Sequence, residues 1–245
     1  MDAGVLKMRP DFPGADLDEV VKQAGVLDEK YRAQHSGQPC EEWRGFIAAY
    51  HGTKTRFRAM TEAEETYAKT VPQSNETREN GFVQDSALFS FFTNAVSVLE
   101  VLCYACFSLA AQLQPSAFPM TSEKALRSVT PEFTLDRFEL LYPQEPLTGT
   151  LRELRDDPAL KELLNARNVL SHRGNPPRNY NVTLDFTLGA SPQHKFIGGA
   201  KGDPPKWHGI VLDDEALSQR RAWLVEYVKR LVGDLLTFSK NNIGA

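Results

Sequence analysis

Apolar residues recur at three- and four-residue intervals along most of the chain, the spacing that puts them on one face of an α-helix. The strongest case is at about 84–113, where Leu88, Phe91, Phe92, Ala95, Leu99, Leu102, Cys106 and Leu109 keep helical register. An earlier helix is predicted over 16–34 with Asp16 as its cap, and another over 41–69, with Gly52 as a point of interruption. Residues 61–69 are polar and are expected to face solvent. The run 72–81 reads as a polar loop and a boundary. Thr121 and Ser122 start a short helix. Thr130 caps the next, with Pro131 at its first position and Phe133, Leu135, Phe138, Leu140 and Leu141 as apolar bulk, and Pro143 and Pro146 end it. Asp157 and Pro158 open a helix with Leu160, Leu163, Leu164 and Val169 or Leu170 inward, stopped by Gly174, Pro176 and Pro177. The last helix is predicted from Asp213 or Asp214 to about Lys240. Its inward stripe is Leu217, Leu224, Tyr227 or Val228, Leu231, Leu235 and Phe238.

One block breaks the helical period. Tyr180, Val182, Leu184 and Phe186 alternate with Asn181, Thr183, Asp185 and Thr187, a strand pattern, and 206–212 is its expected partner strand. The fold expected is therefore mainly α. A helical extension at 1–80 precedes a helical domain at 81–245, which carries a small β-hairpin insertion at about 178–212, before the last helix.

Between Ala87 and Leu113 the single charge is Glu100, and the run is long enough to cross a bilayer. A carboxylate near its middle would cost several kcal/mol in lipid, so a buried core helix is expected and no membrane partner. The chain has 41% hydrophobic and 24% charged residues, which suits a soluble protein with a real core. Its formal charge of -4 argues against non-specific coating of nucleic acid, because phosphate contacts dominate that affinity. A local cationic site acting on one phosphate stays open. Three cysteines and an N-terminus without an apolar signal core point to the cytoplasm rather than to a disulfide framework. Cys103 and Cys106 have the spacing of half a zinc site, but no second pair follows, so they are expected in the core and no metal or cofactor is assigned.

The chemistry concentrates at Arg167-Asn168-Val169-Leu170-Ser171-His172, at the end of an amphipathic helix, with Arg173 and Arg178 close behind in a chain of five histidines. Residues five apart on a regular helix are rotated about 140° from each other, so Arg167 and His172 do not share a face. Asn168 and His172, four apart, do, which lets the amide orient the ring.

The segment resembles the signature of HEPN domains, an Arg followed after four to six residues by a His, often with Asn directly after the Arg. The order of helices over about 84–240 is similar to that family as well. The resemblance implies a HEPN-like antiparallel helical bundle that pairs into a homodimer, so that two motifs line one cleft. It also implies metal-independent cleavage of RNA by attack of a 2′-hydroxyl on the adjacent phosphate. His172 would move protons, Arg167 would hold the phosphate oxygens, and Asn168 would support them. Ser171, Arg173, Arg178, Glu100 and Asn94 are the supporting or RNA-binding candidates, with Glu100 or Asn94 positioning Arg167. A domain that binds RNA or a nucleotide without cutting it, and one that serves a cognate protein partner, are the alternatives.

Overall fold

A computed structural model describes residues 10–70, 78–120, 122–172, 178–181, 193–196 and 206–243. Eight helices and four short strands make up these residues, so the protein is mainly α. In chain order they are α1 (Gly14–Gln34), α2 (Glu41–Thr70), α3 (Arg78–Leu113), α4 (Glu123–Ser128), α5 (Pro131–Leu141), α6 (Pro146–Asp156) and α7 (Pro158–His172). Then come β1 (Arg178–Asn181), β2 (Gln193–Phe196), β3 (Lys206–Trp207), β4 (Ile210–Val211) and α8 (Asp214–Ile243).

Several helix ends follow from local chemistry. Ser122 Oγ accepts from Ala125 N–H and Thr130 Oγ1 from Phe133 N–H, both at 3.1 Å, so both hydroxyls satisfy donors that the helix leaves open. Asp213 Oδ1 does the same for Ala216 N–H at 2.7 Å. Asp16 does not cap α1. The helix starts two residues earlier, after Pro13, and Asp16 falls in its first turn.

The contacts group the chain into two units, interleaved in sequence. The first comprises 1–58, 97–157 and 224–245, and the second 59–96 and 158–223. In the first, the core is aromatic. Phe107, Phe118, Phe138, Tyr142 and Phe238 meet mostly tilted or edge-on at 4.9–5.6 Å, the offset geometries that aromatic rings prefer. In the second, Met60 and Tyr67 of α2, Leu88, Phe91 and Phe92 of α3, Leu163, Ala166, Val169 and Leu170 of α7, and Leu217 of α8 are buried.

Four sequence expectations change. α2 runs through Gly52 unbroken; a Cβ there would meet Arg56 Nη1 at 2.8 Å and Val101 of α3 at 3.2 Å, so the glycine leaves room for packing rather than marking a break. Residues 61–69 do not all face solvent. Thr61, Ala63 and Tyr67 are buried, and the Tyr67 hydroxyl donates to Leu212 O at 2.5 Å. The polar run ending at Gly81 is partly helical, since α3 already begins at Arg78. Pro146 does not merely end a segment. It opens α6, which buries Leu147, Leu151 and Leu154.

The β region pairs differently from the expectation. β1 pairs antiparallel with β2, and 206–212 does not partner β1 but folds on itself as β3 and β4. Its turn, His208 and Gly209, has φ of 50° and 81°, the left-handed pair that a tight two-residue hairpin requires. The alternating positions 182–187 and the glycine-rich link at 198–202 lie outside the described residues.

α3 is long and apolar enough to cross a membrane by length and composition, yet 67% of its most apolar window is buried within the protein. Leu88, Phe91, Phe92, Ala95, Leu99, Leu102, Cys106 and Leu109 are all among the core residues. α3 is thus a core helix, and its apolar surface is spent on packing.

Candidate functional site

α7 is an amphipathic helix of 15 residues, and its buried positions fix how the motif is presented. Leu163, Ala166, Val169 and Leu170 face inward. The helix stays regular to His172, so the positions that follow are set by its 100° advance per residue. Arg167 lies at one edge of the buried face and is half-buried, with interaction partners of its own. Asn168, Ser171 and His172 are exposed. The four side chains fan across the outer side of the helix, with Arg167 and His172 at the two limits, about 140° apart. Asn168 and His172 stand one turn apart on the same face. This arrangement leaves the imidazole open to a ligand while the guanidinium sits at the packing edge.

The supporting candidates lie on several elements. Asn94, on α3, turns its amide back along its own helix and donates to Ser90 O at 2.7 Å and Ser90 Oγ at 3.2 Å. Glu100, also on α3, is half-buried and belongs to the first unit, whereas α7 belongs to the second. Arg178 is the first residue of β1, and its side chain is not described. Arg173 lies outside the described residues. His208 is exposed in its hairpin turn.

An arginine absent from the sequence expectations holds α7 in place. Arg220 of α8 donates from one guanidinium nitrogen to Val211 O at 2.7 Å and from another to Glu162 Oε1 of α7. Its guanidinium also lies 5.5 Å from the Phe92 ring centroid. One planar cation thus fastens α8, β4, α3 and the motif helix at once, a use suited to the fixed fork of arginine. The adjacent Arg221 pairs with Glu64 of α2 at 3.2 Å. The sequence signal was present: Arg220 lies between Leu217 and Leu224, at helical spacing from both, so it borders the buried stripe of α8.

Cys103 and Cys106 are buried in α3, and burial pushes the Cys103 thiol up to about 12 and raises the Cys106 thiol well above its usual value. Desolvation therefore keeps both protonated. Among the described residues no three His, Cys, Asp or Glu side chains gather in a metal-binding group. No protein-family model, no curated protein and no solved structure matches the chain, so the ground for a functional proposal is the chemistry of α7 itself.

Proposed function

We propose that this chain is a HEPN-type endoribonuclease that cuts RNA without a metal at a site composed from two copies of α7. The observation that carries the proposal is the solvent-exposed His172 at the end of a regular helix, with Asn168 on its face and Arg167 on the flank. In this mechanism His172 takes the proton of an RNA 2′-hydroxyl as its oxygen bonds to the adjacent phosphorus. The bond from phosphorus to the 5′-oxygen breaks, and the departing oxygen gains a proton from water. Arg167 holds the non-bridging oxygens as charge builds on them. Asn168 fixes the ring so that one nitrogen faces the substrate.

The rotation of about 140° between Arg167 and His172 is the reason for a second copy. Arg167 of one protomer and His172 of its partner can meet one phosphate across a two-fold axis, whereas neighbours on one regular helix diverge. The same geometry favours a second reading if the chain stays monomeric: a domain that binds RNA or a nucleotide without turnover, or that serves a cognate protein partner. A cytoplasmic setting, where RNA is at hand, belongs to the same proposal.

Purified protein incubated with labelled RNA in EDTA tests it. Wild type is expected to cut, and His172→Ala to lose about 10²–10⁴-fold of the rate, the range for removing a general acid–base. A strand lacking 2′-hydroxyls should stay intact. If wild type leaves RNA whole, or His172→Ala cuts as well as wild type does, the nuclease proposal fails.

A further inference from the structure

Lys161, Asn165, Asn168 and His172 occupy positions i, i+4, i+7 and i+11 of α7, and all four are exposed. At 100° per residue they fall within about 60° of one another, and they span about 16 Å of the helix axis. The result is a single stripe carrying one lysine, two asparagines and one histidine, with no carboxylate, on a chain whose formal charge is -4. The nearest acid in sequence, Glu162, turns to Arg220.

Folding does not account for this choice of residues. Exposed helix positions are best filled by Ala, Glu, Lys, Gln or Arg, and asparagine is a poorer helix former because its amide competes for the backbone. Asn165 and Asn168 lie inside α7, away from the first turn where asparagine would act as a cap. Their burial is too small for packing to select them. Each amide instead offers a donor and an acceptor side by side, the pattern that matches base edges, while Lys161 offers a point charge for a phosphate.

We infer that the Lys161–Asn165–Asn168–His172 stripe is a track for single-stranded RNA, which leads the strand along α7 to His172. Lys161 contacts the phosphate backbone, and the Asn165 amide contacts a base edge, which is open in an unpaired strand but closed off in a duplex, while Asn168 stays with the His172 ring at the end of the track. The inference rests on the nuclease proposal for the position of the scissile bond, but the track itself makes a separate demand. Binding must depend on Lys161 and Asn165, residues outside the Arg–His motif.

Fluorescence anisotropy with a short labelled strand of mixed sequence, substituted with 2′-deoxynucleotides so that it is not cut, measures the binding. Lys161→Ala should weaken it several-fold and lower the slope of log affinity against log salt by about 0.7, the loss of one phosphate contact on a single strand. Asn165→Ala should also weaken it several-fold while raising the thermal midpoint by about 1–2 °C, because alanine is the better helix former. That opposite movement separates lost contact from lost fold. The duplex form of the same strand should bind more weakly than the single strand.

If both variants bind as wild type does, the track is overturned, and wild-type cleavage of RNA would still uphold the nuclease proposal. If the variants weaken binding and wild type does not cut, the track stands and the nuclease proposal falls. If wild type binds no single strand, the track is overturned.

Discussion

Cys103 and Cys106 show how one spacing supports two chemistries until burial decides. Three residues apart, they have the interval of a metal-binding pair, yet both side chains are sealed in α3. The buried thiolate is costly, and the Cys103 thiol is pushed up to about 12. Neither thiol should therefore react with an aromatic disulfide reagent at about pH 8 in the folded protein, and both should react once denaturant unfolds it. Rapid labelling of Cys103 in the native state would show that this part of α3 opens. The candidate segment at 167–172 is singled out by residue type and spacing alone. Arg167, Asn168 and His172 stand out by type and spacing, and the buried set Leu163, Ala166, Val169 and Leu170 then fixes their directions. Arg220 was harder to see. Its value lies in Val211 O, Glu162 and the Phe92 ring, contacts from three places in the chain that no local pattern links.

Among elements, the helices with a wide apolar stripe were readable, and the errors share a cause. Proline and glycine read as breaks in a sequence, but proline at a first helical position loses no hydrogen bond, so Pro146 opens α6. Gly52 lies inside α2 where Val101 of α3 comes close. Alternation gives the face of a strand and not its neighbour, so the pairing of β1 with β2 is not legible in the sequence.

The α1–α2 pair gives a prediction at this scale. Asp18 of α1 accepts from Tyr50 and from Lys54 of α2, each at 2.7 Å, and Lys54 also contacts Tyr50. Burial opposes the Asp18 carboxylate, but the hydrogen bonds from Lys54 and Tyr50 outweigh it and hold its pKa below 3.8. A carboxylate with a lower pKa folded than unfolded stabilises fully above the unfolded value, and the effect fades as pH falls through the folded value. Because Asp18 is 50% exposed, solvent screening limits this to about 1 kcal/mol or less. Asp18→Asn should thus be less stable than wild type in neutral denaturant titrations, with the gap closing towards about pH 2. A gap that does not change with pH would remove the charge from the explanation.

For the whole molecule, the order of elements in the chain is a poor guide to grouping. α2, α3 and α8 each contribute residues to both contact units, and a sequence read from end to end does not reveal such interleaving. The charge of the chain, -4, likewise describes the sum and not the stripe from Lys161 to His172, whose four positions carry no acid. A composite site is a whole-molecule claim, and it has a whole-molecule test. Arg167→Ala and His172→Ala should each be inactive as pure dimers. After mixing and subunit exchange, half of the dimers are mixed, and one of the two sites in each then has an intact Arg167 from one protomer and an intact His172 from its partner. Activity should return to about a quarter of the wild-type level. If each site drew both residues from one chain, every site in the mixture would lack one of them and nothing would return. Exchange has to be followed independently, for example by energy transfer between labelled protomers. With exchange complete and activity still absent, the two-copy site is refuted.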